Sequence, residues 1–330
     1  MLRLHEVTRP SVDSDIRLFF QIQLTGITKN RSDFNLPEEW PSSADLDTLC
    51  AKAASLFIYA STVVRFVASK DHQPSERLAD IVTLPQSTFE EGRSGLDQLY
   101  TEVLQQAFLN IPTDDEGFFS RFKSVVGAVM LLFNPLSVSA LSELLGTSDV
   151  STSLRSLHSL IIIPISQLDP TPLHVLHKSF SDFLTDPQRQ RCIDQKLFID
   201  PLILHRGTMP PCPRLMKERL RRNICQLDVL DPLSEDKDLS AQRAANIGDA
   251  LEYACCFWAS YLVKVITSGP DDEVFRAIDE FFTTCFLFWV EVLSLVRNLG
   301  IGIHALNDVD KWYMMVSYIA WKGLSMFMLI

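Results

Sequence analysis

Four stretches follow one another in the middle of the chain: Ser137-Val-Ser-Ala-Leu-Ser-Glu-Leu-Leu145, Asp149-Val-Ser-Thr-Ser-Leu-Arg-Ser-Leu-His-Ser-Leu160, Ile161-Ile-Ile-Pro-Ile165 and Leu173-His-Val-Leu-His177. In the first, Leu141, Leu144 and Leu145 recur at helical spacing, which predicts a short helix with those leucines inward. The second repeats the pattern with Leu154, Leu157 and Leu160, and Asp149 stands where an N-cap belongs. Ile161–Ile165 then changes to a β-branched apolar run, and Leu173–Leu176 is its pairing partner across the turn residues Asp169-Pro-Thr-Pro172. Helices followed by a small hairpin make a winged-helix-like unit, with most side chains of both strands expected inside. The second short helix has Arg155 as its only base, so the unit is expected to pack within the protein rather than to read DNA.

Outward from this unit, the pattern is helical. Ser11–Ile27 places Ile16, Phe19, Phe20 and Leu24 on one face, with Ser11 or Ser14 as cap. Ser43–Ala68 reads as one long helix capped by Ser43, although Thr62-Val-Val64 weakens its far end. Pro residues and polar surface make Asp71–Arg93 a connector with a short helix near Ser75–Val82. Helices are expected over Gly95–Phe108 and Asp114–Phe133, the latter stopped by Pro135. Beyond the hairpin, helices are expected over Leu215–Leu227, Ser240–Ile266, Asp271–Val296 and from Asp308 onward. The fold class is therefore mainly α, helical modules with a small winged-helix-like α/β unit in the middle. No internal repeat emerges.

The 330 residues are 47% hydrophobic, enough to bury a sizeable core, and their formal net charge of -11 argues against a general nucleic-acid coat. Seven Cys lack metal-type spacing and indicate reduced thiols in an intracellular protein. No Lys- or Arg-led apolar segment opens the chain, so no secretory leader is expected and the location is cytoplasmic.

Chemistry-bearing motifs are largely missing. There is no G-x-x-x-x-G-K-[ST] loop to cradle phosphates, which argues against autonomous ATP or GTP hydrolysis. There is no H-E-x-x-H and no G-x-S-x-G. His174 and His177 are expected around a strand end and a helix start, as structural histidines. His177, Ser179 and Asp182 have the residue types of a hydrolytic triad without its geometry. Cys255 and Cys256 read as small buried hydrophobes. No catalytic residue, cofactor or metal site is expected.

Two stretches remain as interaction candidates. Arg214, Lys217 and Arg221 share one side of a helix by three- and four-residue steps and offer contact to phosphate or acidic protein, against the plainer reading of a solvated face. Trp312, Tyr313, Trp321 and Phe327 belong to an apolar terminal segment with no obvious cover inside the chain. Phe281–Val296 and Tyr313–Ile330 approach membrane-span length, but Glu291 and Lys322 interrupt them. Self-association or a protein partner is the expected use of the terminal segment, with membrane association the lesser option.

Several phrases together carry a family resemblance. They include Asp15-Ile-Arg-Leu-Phe-Phe20, Leu36-Pro-Glu-Glu-Trp-Pro41, Leu56-Phe-Ile-Tyr-Ala-Ser-Thr-Val-Val-Arg-Phe66, Gly95-Leu-Asp-Gln-Leu-Tyr100 and Leu176-His-Lys-Ser-Phe-Ser-Asp-Phe-Leu184. Ile247-Gly-Asp-Ala-Leu-Glu-Tyr-Ala-Cys-Cys-Phe-Trp258 and Phe286-Leu-Phe-Trp-Val-Glu-Val-Leu-Ser-Leu295 continue the series. The chain resembles fungal NACHT-domain proteins, the basidiomycete class of signal-transducing NTPases with numerous domains. The resemblance implies a helical remnant of the C-terminal part of a NACHT module over 1–92, a winged-helix-like domain over 93–200 and a C-terminal helical domain over 201–330. Family members carry a Walker A loop and an acidic Walker B segment upstream of the part matched here. This chain has neither, nor a recognisable effector or repeat sensor, and so resembles an internal remainder, a truncated product or an incomplete gene model. The function expected is a noncatalytic regulatory or protein-interaction scaffold. The alternatives are a nucleotide-dependent signalling subunit completed by a P-loop in missing sequence or another chain, and, third, a winged-helix nucleic-acid binder.

Overall fold

The structure is a computed structural model that describes residues 9–30, 34–85 apart from 35, 38 and 71, 95–189 apart from 165, 167 and 168, 194–203 apart from 202, 211–227, 237–265 and 272–327. It is mainly α. In chain order the helices before the hairpin are α1 (Arg9–Asn30), α2 (Ser43–Ala53), α3 (Phe57–Val67), α4 (Pro74–Thr83), α5 (Gly95–Ala107), α6 (Glu116–Leu131), α7 (Val138–Leu145) and α8 (Val150–Leu154). Strands β1 (Ile161–Ile162) and β2 (His174–Val175) follow. Then come α9 (Lys178–Thr185), α10 (Pro211–Arg219), α11 (Lys237–Asn246), α12 (Gly248–Val265), α13 (Asp272–Glu280), a π-helical turn (Phe281–Cys285), α14 (Phe286–Leu295) and α15 (Leu299–Phe327). The chain forms two compact units. One comprises Met1–Phe119, Leu154–Ile163 and His174–Phe198; the other comprises Ser120–Ser153, Pro164–Leu173 and Ile199–Ile330.

In the first unit, α1 buries Ile16, Phe20 and Leu24 at four-residue steps, as its periodicity requires. The helix starts at Arg9, ahead of Ser11 and Ser14, so neither serine is its cap. Ser42, not Ser43, caps α2: its hydroxyl accepts from the Asp45 N–H while the Asp45 carboxylate accepts from the Ser42 N–H, a reciprocal capping box. The single helix expected over Ser43–Ala68 is two. Ala54 and Ser55 take left-handed φ values of 49° and 65°, which end α2, and the chain restarts at Phe57. Leu46, Leu49 and Ala53 before the break, and Ala60, Val63 and Val67 after it, are all buried, so the apolar pattern runs through a bend it does not reveal.

Helix α4 begins with Pro74, whose missing N–H is harmless in a first turn. The Lys52 ammonium closes its other end, donating to the carbonyls of Ile81 (2.8 Å), Val82 (2.9 Å) and Leu84. The Arg77 guanidinium lies 4.0 Å from the Phe66 ring centroid. Tyr100 of α5 meets Phe180 and Phe183 of α9 with ring centroids 5.3 and 5.5 Å apart.

The two expected strands pair as an antiparallel hairpin, and the register sets Ile161 opposite Val175 and Ile162 opposite His174. Its burial is less than expected. Ile161 is fully buried, whereas Ile162 is 38% exposed and His174 is also exposed. Only one face of so short an antiparallel pair is covered, so alternate side chains meet solvent. Ile165 lies outside the described residues. Helix α8 is also shorter than the expected Asp149–Leu160, ending at Leu154. Turns carry Leu157 and Leu160 inward all the same. The order α7, α8, β1, β2, α9 is a winged-helix-like element amid helical modules.

The second unit is organised on α12, whose Ala250, Leu251, Ala254, Cys255, Tyr261 and Leu262 are all fully buried. It packs on α10 and α15. Trp289 of α14 donates its indole N–H to the Cys255 carbonyl at 2.8 Å. Leu293 and Trp289 press on Gly302 of α15, where an added Cβ would stand 2.8 Å from Leu293 Cδ1. Helix α15 starts at Leu299 and runs through Gly300 and Gly302, instead of beginning at Asp308, and at position 302 only glycine admits so close an approach. The helix expected over Ser240–Ile266 is likewise two, joined at Gly248 with φ +68°. That expected over Asp271–Val296 contains the π turn Phe281–Cys285. The helix expected over Leu215–Leu227 ends at Arg219, and Asn223 and Gln226 take positive φ beyond it. Glu291 turns inward to this loop, its carboxylate accepting from the N–H groups of Asn223 and Ile224, both at 3.1 Å.

Candidate interaction surface

Three bases of the 214–222 stretch make polar contacts within the second unit, Arg214 and Lys217 from exposed positions. The Arg214 guanidinium donates to the Leu144 carbonyl at 3.0 Å and lies 3.7 Å from Glu218. Lys217 pairs with Glu280 at 2.5 Å, and this carboxylate, by hydrogen bond and charge, holds the ammonium above the ordinary lysine range. Arg219 pairs with Glu143 and donates to the Asn246 carbonyl at 3.2 Å. Arg221 is exposed and falls beyond the end of α10, so it does not continue the helical side that carries Arg214 and Lys217. Of the three bases expected on one helical side, Arg214 and Lys217 stand exposed on α10, each beside a carboxylate, and Arg221 lies beyond its end.

The terminal aromatics are also separated. Trp312 is buried, with its ring 4.7 Å from that of Phe275. Tyr313, next to it, is 57% exposed. The side chains of Trp321 and Phe327 lie outside the described residues. Trp312 anchors α15 onto α13 and turns Tyr313 outward. Between these helices runs an open groove of about 380 Å³. Its α13 side carries Phe275, Ile278 and Asp279, continued by Phe282; its α15 side carries Leu306, Val309, Asp310 and Tyr313. Leu299 and Ile303 extend the α15 side as exposed apolar residues. Sequence reading missed the α13 wall, since nothing in the sequence pairs the two helices. The steps of four and three residues from Leu299 through Ile303, Leu306 and Asp310 to Tyr313 were a legible sign of the other wall.

His177 is the N-cap of α9, its Nδ1 accepting from the Ser179 N–H at 3.1 Å. The Ser179 hydroxyl bridges His177 Nδ1 (2.7 Å) and the Tyr100 hydroxyl (2.8 Å). This network satisfies a helix start and ties α9 to α5. A second cleft, of about 530 Å³, is lined by Phe19, Leu56, Phe57, Ile58 and Leu176, with Ser55, Ser61 and His177 at its polar edge. Cys255 and Cys212 are buried; burial pushes the Cys212 thiol up to about 12, and Cys255 rises well above its ordinary value for the same reason. Among the described residues no group of His, Cys, Asp and Glu is arranged to hold a metal, and no helix is long and apolar enough to cross a membrane.

The chain is similar to the vegetative incompatibility protein HET-E-1 of Podospora anserina, with 24% identity over 333 residues. The match covers 93% of this chain and 22% of HET-E-1, so the chain spans about a fifth of that relative's length. No family model matches the chain. No solved structure matches it.

Proposed function

We propose that the chain is a noncatalytic regulatory or protein-interaction scaffold of the NACHT signalling type. The observation that carries this reading is the open apolar groove of α13 and α15, presented by a helical protein whose middle is winged-helix-like. The similarity to a vegetative incompatibility protein along 93% of the chain supports the signalling context. In this reading the buried parts of α12, α14 and α15 form a rigid mount, and the outward residues of α15 meet a protein. The partner is a protein, with neither nucleic acid nor lipid as the primary ligand.

Light scattering on the intact chain and on a Tyr313→Asp/Met314→Asp variant tests the reading. Both residues are exposed, so the fold should survive. A mass above 37.4 kDa, or a stable complex with a second protein of the fungal cell, lost in the variant, supports it. An intact chain that stays strictly monomeric and forms no complex overturns it.

A second reading is a nucleotide-dependent signalling subunit whose P-loop is supplied by other sequence. It is favoured by the share of HET-E-1, far more than half, that lies outside the match. Assembly of this chain with a P-loop chain only in the presence of ATP and Mg²⁺ would select it.

A further inference from the structure

The groove of α13 and α15 is apolar but not neutral. Each wall contributes one carboxylate, Asp279 and Asp310, among Ile278, Phe282, Leu306 and Tyr313. Both are exposed, and among the described residues neither has an ion-pair partner. Lys311, beside Asp310, lies 3.6 Å from Asp308, and Arg276, one turn before Asp279 on α13, is itself engaged. On α15 the exposed stripe Leu299, Ile303, Leu306, Asp310, Tyr313 advances by steps of four and three residues. At a rise of about 1.5 Å per residue it extends roughly 21 Å. Such a stripe matches the seam that one helix offers to another, with a polar residue at one position fixing register.

We infer that this groove docks an amphipathic helix of a partner protein, and that the helix carries a lysine or arginine in its apolar stripe, placed between Asp279 and Asp310. The inference rests on the scaffold reading and names its partner class. A wholly apolar helix would cover two carboxylates without pairing them, which is costly. A second copy of the chain would bring the same acidic residues to face these two, and like charges across an interface suppress association. The net charge of -11 adds to that repulsion and also disfavours anionic lipid and nucleic acid. A base on an apolar helix meets all three conditions: it neutralises the carboxylates, sets the register, and leaves the leucines to fill the groove.

The test uses the full chain and three fluorescein-labelled helical peptides of about 21 residues, long enough to follow the stripe. All carry leucine at four- and three-residue steps; the central stripe position is Lys, Leu or Glu. Fluorescence anisotropy gives affinities for the unaltered chain and for an Asp279→Lys/Asp310→Lys variant, with thermal melts verifying the fold. The Lys peptide should bind the unaltered chain about tenfold or more tighter than the Glu peptide, and the variant should reverse that order. If the variant fails to fold, Asp279→Asn/Asp310→Asn should abolish the preference instead. Equal binding of all three peptides overturns the basic-partner inference while leaving a docking face, and with it the scaffold reading. Absence of binding while the chain self-associates through Tyr313 and Met314 overturns the inference and also leaves that reading standing. A preference that persists unchanged in both variants overturns the assigned site.

Discussion

Arg214 closes the C-terminal end of α7: its guanidinium donates to the Leu144 carbonyl at 3.0 Å and fills the space beside Gly146, where an added Cβ would stand 2.8 Å from its Cζ. Gly146 has φ +68°, the left-handed helix end that glycine adopts without penalty. Gly146→Ala therefore meets both a conformational cost and the arginine, and should destabilise the fold by about 1–2 kcal/mol. Arg214→Ala alone should cost about 1 kcal/mol. In the double variant the steric part disappears, so urea denaturation should give less than the sum. Strict additivity would show that the arginine does not constrain the glycine.

The capping box of α2 predicts a second effect. Ser42→Ala removes the acceptor for the Asp45 N–H and should cost about 1 kcal/mol by urea denaturation. Ser43→Ala should cost markedly less, because Ser43 stands inside the helix and is not its cap. Equal effects would refute the assignment of the cap.

Glu291 is expected to be structural. Its carboxylate holds two backbone N–H groups of the loop at Asn223 and Ile224, so Glu291→Ala should destabilise by about 1–3 kcal/mol. Hydrogen exchange should show faster exchange at those two amides. An unchanged exchange pattern would remove Glu291 from this role.

The buried thiols predict an alkaline limit. Burial raises Cys212 to about 12 and Cys256 to about 11, above the ordinary value of 9.0 that the unfolded chain regains. A raised folded-state value favours the protonated, folded form. The contribution is complete below pH 9 and is lost as pH climbs toward 11 and 12. Stability should fall above pH 9, and thiol labelling of Cys212 at pH 8 should require unfolding. Rapid labelling of Cys212 in the native protein would contradict its burial.

Phosphate release gives a negative test of the chemistry. The purified chain with Mg²⁺ and ATP or GTP should release phosphate at the rate of a protein-free blank, because no loop cradles the phosphates. Turnover that copurifies with the chain would overturn the noncatalytic assignment.

Much of the candidate surface was hidden because spacing describes one helix at a time. Arg214 and Lys217 are one side of α10 by their three-residue step, yet Leu144 and Glu280, far away in sequence, decide that both point into fasteners. Trp312 and Tyr313 are adjacent aromatics of similar hydrophobic weight, yet Phe275 takes one and leaves the other exposed. The helix breaks at Ala54 and Gly248 were hidden for a related reason. Apolar periodicity survives a bend when both sides bury the same face against one core.

By itself the sequence determined the helical class and the α7–α8–hairpin–α9 order, since these depend on local periodicity and turn residues; the Ile161–Val175 register came from the structure. It also determined the absence of a phosphate loop, which is a matter of local spelling. Tertiary structure alone decided where helices end, which bases are consumed by distant carboxylates and carbonyls, and that α13 and α15 leave a groove lined by Asp279 and Asp310. Those outcomes are set by packing between residues remote in sequence, whose energies depend on which surfaces meet and not on the period of either helix.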